Sequence, residues 1–379
     1  DIATNQALVQ RLVCEYRNPK QNEEWATQIN AYVQKLTGHG PYTYHPCLGL
    51  KELTAITSAY LKEIKIADEN IAVITTNPSY ISSFYHYGTK DVSSISVIDL
   101  ELDQVIDEIE STSNRLHQEG KKIVIHWQLA NPMGLQLSEE QTQRLGKVVS
   151  ELSRKGNLAA FVEDDAYLDM SLDPKNSSVV LACDLLHKVN PEQTGIFFGM
   201  SASKGINLGG MGIAIVGSNL DNFDTRKSEF HQDLMNNMHS GASKLDMYIM
   251  WQYIKAKLAN WQPHLEKLTT VMTITTQTAI YLQEKGIKCK APQKGPFLFL
   301  DLREWCQQNP ETDPFEHLRT HKLITLYGNA CNITKLPSSK GDRNDFSHFV
   351  RIALCGCQTQ KEATEIADKL VAALNVAKR

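Results

Sequence analysis

Short apolar runs alternate with segments of helical spacing along most of the chain. Residues 105–116 and 138–155 carry apolar positions at helical spacing. The apolar runs between such segments predict strands at residues 71–74, 123–126, 159–162, 195–198 and 213–216. Continuous rather than alternating apolar character is typical of strands buried on both faces, as in a mostly parallel sheet covered by helices.

The two ends of the chain have a different pattern. Helical spacing predicts helices at residues 4–36 and 50–64, a long helical region at 246–285 and a final helix at 360–376. Strand-like runs occur at 297–300 and 349–354. We therefore predict an α/β protein with two domains. They are a large domain with a mostly parallel sheet (residues 42–270) and a smaller α+β domain (residues 1–41 and 271–379).

Composition and charge narrow the classes of function. The 379 residues are 42% hydrophobic and 22% charged, as in ordinary globular proteins, and the formal charge of -4 disfavours nucleic acid or anionic lipid as partners. No apolar run approaches the ~20 residues that cross a bilayer. The eight cysteines show no CxxC pairing, which disfavours a metal site and predicts a reducing, cytoplasmic location.

Polar residues follow three of the predicted strands. Asn131 to Gly134 follow the strand at 123–126, Asp164 to Tyr167 follow the strand at 159–162, and Ser201 to Lys204 follow the strand at 195–198. Taken singly, these are better explained by a structural turn, a capping acid and a solvated lysine. At the carboxyl ends of neighbouring parallel strands, however, they would meet where α/β proteins bind ligands.

Lys204 and Arg351 are candidates for chemistry. A lysine held against apolar strands has a destabilised ammonium, so its neutral amine becomes an accessible nucleophile. A nucleotide phosphate loop needs Gly before the lysine and Ser or Thr after it, and Ser203-Lys204-Gly205 lacks that order. Arg351, inside a predicted strand, is either a bidentate partner for a carboxylate or an edge-strand residue facing water.

The ordered set Asn-Pro-x-Gly, Asp-x-x-Tyr, Ser-x-x-Lys and a late-strand Arg resembles the class I aminotransferases of the aspartate and aromatic amino-acid type. The resemblance extends from Tyr42 to the C-terminus. Asn77-Pro78-Ser79-Tyr80 is similar to the family segment whose aromatic residue stacks on the cofactor. The resemblance implies the type I fold, pyridoxal 5'-phosphate as cofactor, an amino acid and a 2-oxo acid as substrates, and a homodimer.

The resemblance also implies three catalytic residues. Lys204 would hold the cofactor as a Schiff base and carry the proton that moves during transamination. Asp164 would pair with the pyridine nitrogen and keep it protonated. Tyr167 would hydrogen-bond the phenolic oxygen of the cofactor.

The remaining matches would bind the cofactor or the substrate. Asn131 would share the phenolic oxygen with the tyrosine, and Tyr80 would stack on the ring. Ser201 and Ser203 would hydrogen-bond the phosphate. Arg351 would bind the substrate α-carboxylate through two parallel hydrogen bonds, and Asn131 would also bind the substrate.

The chain departs from the family around the cofactor phosphate. Position 212 is Gly where the family usually has Arg, and the counterpart of the phosphate loop, His45 to Gly49, has no hydroxyl. Loss of a charge-assisted hydrogen bond predicts weaker cofactor retention, by ~1.5–3 kcal/mol. Three functions therefore stay open: an aminotransferase, a weakened or inactive aminotransferase-like protein, and a pyridoxal-phosphate lyase.

Overall fold

The computed structural model describes residues 20–38, 43–47, 50–81, 84, 87, 91–171, 185, 189–190, 192–201, 204, 214–220, 244–336, 339–340 and 345–375. The helices within these ranges are α1 (Lys20–Thr37), α2 (Lys51–Glu63), α3 (Leu102–Gln118), α4 (Glu139–Arg154), α5 (Lys244–Ala259), α6 (Trp261–Glu284), α7 (Arg303–Gln308), α8 (Pro314–Thr320) and α9 (Gln360–Ala373). The strands are β1 (Thr43–Cys47), β2 (Ile71–Asn77), β3 (Asp91–Ser96), β4 (Lys122–Trp127), β5 (Leu158–Asp165), β6 (Gly195–Ser201), β7 (Ala214–Ser218), β8 (Lys288–Cys289), β9 (Phe297–Asp301), β10 (Leu326–Tyr327), β11 (Ser339–Lys340) and β12 (Phe349–Ala353).

The strands form two sheets. The larger has the order β1-β7-β6-β5-β4-β2-β3-β11. The six strands from β6 to β11 are parallel, β7 is antiparallel to its neighbour β6, and the edge strand β1 is antiparallel to β7. The smaller sheet, β10-β12-β9-β8, is antiparallel throughout. The predicted fold class is confirmed: a mostly parallel sheet covered by helices, with a second, smaller α+β part.

Burial explains why the pattern of apolar residues predicted the central strands. Every residue of β2, β5 and β6 is buried, so these strands need apolar side chains on both faces. One face of the sheet packs against α3 and α4, through residues such as Ile106 and Leu145. The other face packs against α2, whose buried residues include Leu53 and Ile56.

Two elements differ from the sequence prediction. The helical region predicted at 246–285 is two helices that break at Asn260. The reason is Pro263, which has no N–H to donate to the Ala259 carbonyl and is tolerated only in the first turn of a helix. Residues 45–47, predicted to belong to the counterpart of the phosphate loop, lie in the edge strand β1 instead.

The described part of the predicted N-terminal helix is α1. Its buried residues Ile29, Tyr32 and Val33 belong to the same apolar cluster as Ile74 and Ile125 of the large sheet. The predicted domain boundaries at residues 41 and 270 stay a prediction. Within the described ranges, no helix combines the length and the apolar character needed to cross a membrane.

Candidate active site

The carboxyl ends of four parallel strands create one edge of the large sheet. These strands, β2, β4, β5 and β6, end at Asn77, Trp127, Asp165 and Ser201. The predicted site residues Tyr80, Asn131, Asp164 and Ser201 all lie at or just beyond these ends. The parallel register of these strands therefore brings motifs that are distant in sequence to one edge of the sheet.

Arg351 reaches this edge from the small sheet. Its strand β12 lies between β10 and β9, so it is not an edge strand. The guanidinium Nη1 donates a hydrogen bond to Asn131 Oδ1 at 2.5 Å, and its central carbon lies 4.3 Å from the centre of the Phe297 ring. A cation held over an aromatic face and bonded to an amide oxygen has a fixed orientation.

Arg351 keeps hydrogen-bonding capacity for a further partner. Its Nε is buried, and no described residue accepts a hydrogen bond from it. Within the described ranges, no carboxylate forms an ion pair with this guanidinium. A buried guanidinium N–H without an acceptor is costly, which favours a site that receives a carboxylate from a ligand.

Tyr167 lies beside Arg351 and is almost fully buried. Its ring meets Phe297 edge-on, with centroids 5.1 Å apart at an interplanar angle of 84°. Burial raises the pKa of Tyr167 above its usual value; the positive charge of Arg351 opposes this rise, and the negative charge of Asp164 adds to it. Tyr167 is therefore a protonated hydrogen-bond donor at physiological pH, within electrostatic reach of two other predicted site residues.

Asp164 ends a buried strand, as predicted, and is 6% exposed. It lies close to the buried Tyr87, since its charge contributes to the raised pKa of that tyrosine, whose main cause is burial. Tyr87 Oη lies 3.0 Å from Nδ1 of His126. Burial lowers the pKa of His126 to about 3, so this histidine is neutral at physiological pH.

Tyr80 is 36% exposed at the same edge, which leaves its side chain accessible to a ligand. Its N–H donates to Gln128 Oε1 at 2.7 Å. The carbonyl of Gln128 accepts the hydroxyl of Thr76 at 2.5 Å and that of Ser79 at 3.4 Å. The turn that carries Tyr80 is thus held by a buried glutamine just after β4.

Lys204 and Ser201 lie at the end of β6. Ser201 is the buried last residue of that strand, and Lys204 is exposed three residues later. The side chain of Lys204 is exposed, whereas the sequence predicted a lysine held against apolar strands. Ser203 and Gly212, the position of the missing arginine, lie outside the described residues.

A family model described as "Aminotransferase class I and II" matches residues 67–370, which is most of the chain. The chain belongs to this aminotransferase family. The match covers the segments of Asn131, Asp164, Lys204 and Arg351 that carried the resemblance. No sequence among the curated proteins matches this aminotransferase-family chain.

Solved structures with the same fold include aminotransferases and a lyase. The multiple substrate aminotransferase from Thermococcus profundus is 14% identical, with a TM-score of 0.68 over 93% of this chain and 80% of that chain. The kynurenine aminotransferase from Pyrococcus horikoshii is 14% identical, with a TM-score of 0.70 over 98% and 87% of the two chains. The PLP-bound C-S lyase from Staphylococcus hominis is 13% identical, with a TM-score of 0.68 over 96% and 90%. At such identities the likeness shows the fold alone.

Sequence reasoning missed three contributors to the site of this aminotransferase-family protein. Phe297, under the guanidinium, was assigned only to a strand, and Gln128 carried no motif. Lys294, which pairs with Asp165, was not singled out, although a lysine directly before Gly-Pro and a buried strand was a usable signal.

Gly134 closes the turn that starts at Asn131, and replacing it by alanine is expected to destabilise the protein by roughly 2–4 kcal/mol. Gly134 has φ +66°, and an added Cβ would lie 2.7 Å from Cβ of Pro292. The control is Gly156→Ala, at φ +71° with no atom within 4 Å of the added Cβ. Urea unfolding should show a larger loss for Gly134→Ala; equal losses would mean that Pro292 moves aside freely.

Proposed function

We propose that this protein is a pyridoxal-phosphate-dependent aminotransferase that moves an amino group between an amino acid and a 2-oxo acid. The observation that carries the proposal is the guanidinium of Arg351. It is oriented by Asn131 and Phe297, and among the described residues neither an acceptor for its buried Nε nor a carboxylate partner is found. The carboxylate of an amino acid or a 2-oxo acid satisfies such a donor by two parallel hydrogen bonds.

The residues beside Arg351 fit pyridoxal phosphate. Asp164 supplies a buried negative charge for a protonated pyridine nitrogen, and Tyr167 supplies a hydroxyl donor for the phenolic oxygen. Tyr80 offers an accessible aromatic face, and Ser201 a hydroxyl for the phosphate. When bound, the cofactor supplies an electron sink for the electron pair left when a bond to the substrate α carbon breaks.

Lys204 has two tasks in this proposal. Its Nζ would hold the cofactor, and as a free amine the same Nζ would accept the proton from the substrate α carbon. Arg351 fixes the carboxylate and thereby the direction of the α C–H bond. Ser203 would add a second hydroxyl at the phosphate.

A lyase is the second candidate because a C-S lyase from Staphylococcus hominis shares the fold. Lysine, aspartate and tyrosine in the same positions would serve elimination as well as transamination. The two reactions differ in their products, so they are separated by assay. The weakened or inactive form differs from both by failing to turn over with the cofactor bound.

The test is an absorption spectrum of the purified protein with and without added pyridoxal phosphate, repeated with Lys204→Ala. We expect a visible band from the lysine-bound cofactor in the wild type and its loss in Lys204→Ala, because alanine has no amine. Lys122→Ala, an exposed lysine whose Nζ donates to the Gly156 carbonyl, is the control and should keep the band. A cofactor-saturated wild type without the band would exclude the proposal.

A panel of L-amino acids then distinguishes the reactions. Conversion of the bound cofactor to pyridoxamine phosphate by an amino acid alone, with restoration by a 2-oxo acid, supports an aminotransferase. Release of pyruvate and ammonia without that conversion supports a lyase. A visible band without any turnover supports the inactive form.

Two further expectations accompany this proposal. A homodimer would allow a second copy of the chain to complete the phosphate site that lacks arginine at position 212. A cytoplasmic location suits an enzyme with free cysteines such as Cys289, Cys306 and Cys331. Both stay predictions.

A further inference from the structure

The segment 293–296 connects three of the motifs that form the site. Two of its amide N–H groups donate to the Gly134 carbonyl, at 2.7 and 3.1 Å, in the turn that starts at Asn131. A third donates to the Met170 carbonyl at 2.9 Å, just after Tyr167. The last carbonyl of the segment accepts the N–H that follows β12, the strand of Arg351, at 2.9 Å.

An ion pair holds this segment to the large sheet. Lys294 Nζ bonds Asp165 Oδ2, and both side chains are only 2% exposed. Asp165 is the last residue of β5, directly after Asp164 and two residues before Tyr167. The ion pair therefore connects the small-sheet side of the site to the strand that carries the proposed cofactor aspartate.

Burial distinguishes this pair from the ion pair between Lys288 and Glu304 near β8. Lys288 and Glu304 are 2.7 Å apart, but their side chains are 61% and 62% exposed. An exposed pair contributes little, whereas a buried pair fixes its geometry because neither charge tolerates separation from the other. The ion pair between Lys294 and Asp165 therefore keeps the segment 293–296 at a constant distance from the end of β5.

The residue that follows the segment is Phe297. Its ring supports Arg351 at 4.3 Å and contacts Tyr167 edge-on at 5.1 Å. Displacement of the segment would therefore move the Phe297 ring, and with it the guanidinium of Arg351, relative to Asn131. The interval is short, with Gly295 at φ +75° and Pro296 as the only residues between Lys294 and Phe297.

We propose that Lys294, through its ion pair with Asp165, is a positioning residue that presets the carboxylate-binding geometry of Arg351, Asn131 and Tyr167. This inference rests on the proposed function for its substrate, an α-carboxylate. Lys294 touches neither substrate nor cofactor in this role; it acts through Phe297 and through the Asn131 turn.

The test uses the double variant Lys294→Met/Asp165→Asn of the full chain. Replacing both partners avoids leaving one buried charge unpaired, which is the change that would unfold the single variants. The matched control is Lys288→Met/Glu304→Gln, which removes the same two charges from the exposed pair. Both are compared with the wild type by amide hydrogen exchange and by steady-state kinetics with the most active L-amino acid.

We expect faster exchange at residues 129–136, 166–171 and 290–298 in the double variant and unchanged exchange in the control. KM for the amino acid should rise by roughly 10- to 100-fold, while kcat changes by less than about threefold, because binding of the carboxylate is lost in ground and transition states alike.

Two results would overturn the inference. One is unchanged exchange at the three segments, and the other is faster exchange with a wild-type KM, which would make the pair merely structural. If the wild type itself shows no turnover, the proposed function fails, and amide exchange still decides whether the ion pair positions the three segments. The two failures are therefore distinguishable.

Discussion

Arg351→Lys is expected to lower kcat/KM for the amino acid by about 10- to 150-fold, because one charge-assisted hydrogen bond of ~1.5–3 kcal/mol is lost. Lysine keeps the positive charge but has no planar pair of donors. In the wild type, Nη1 already donates a hydrogen bond to Asn131 Oδ1 at 2.5 Å. The planar shape of the guanidinium therefore decides how its other N–H groups can bind the substrate carboxylate. The loss should be mainly in KM, since the carboxylate is bound before and during the reaction.

Arg303→Lys is a matched control for this effect. Its guanidinium also lies over a phenylalanine, Phe349, at 5.2 Å, but it pairs with Asp301 and Asp99. Its carboxylate partners come from the protein, so kcat/KM should stay within about threefold of the wild type. Arg351→Lys with wild-type kcat/KM would show that this arginine does not bind the carboxylate.

Asp164→Asn is expected to lower kcat by roughly 10- to 1,000-fold. An opposite charge within hydrogen-bonding range shifts a pKa by about 1–3 units, each equivalent to about 1.4 kcal/mol. The neutral amide would no longer keep the pyridine nitrogen of the bound cofactor protonated, so electrons from the α carbon would be accepted less well. Burial of this side chain, at 6% exposure, strengthens the interaction because water screens it poorly.

Single-turnover measurements with cofactor-saturated protein would check the Asp164 prediction, since they separate proton transfer from cofactor binding. Asp103→Asn removes the charge of an exposed aspartate that pairs with Arg144 and should leave the rate unchanged. Asp164→Glu keeps the negative charge at a displaced position, and its rate should lie between the rates of Asp164→Asn and Asp103→Asn. A wild-type rate in Asp164→Asn would mean that another group protonates the cofactor.

The order of strands and helices could largely be predicted from the sequence. The runs at 71–74, 123–126, 159–162 and 195–198 became β2, β4, β5 and β6 with longer boundaries, because these strands are buried on both faces. Strand β3 was missed since its burial is intermittent: of its six residues only Val92 and Ile95 are buried, and the other four are serine or aspartate. The break at Asn260 was missed because the apolar pattern continues on both sides of it.

The motifs of the site were also readable, because turns and strand ends depend on local chemistry. Asn-Pro-x-Gly, an acid after a buried strand and an arginine within a strand each have a local physical meaning, and their order indicated the family. The sequence could not place Lys204 in space. It predicted a lysine held against apolar strands, and the side chain is exposed at the sheet edge.

The sequence by itself therefore determined the α/β architecture, the family and the residue types that the chemistry needs. Only the tertiary structure decided which of these residues meet. Asn131 and Arg351 are separated by 220 residues along the chain, and Asp165 and Lys294 by 129. Periodicity and turn propensity act over a few residues, whereas such contacts depend on how two sheets pack, a property set by the whole core.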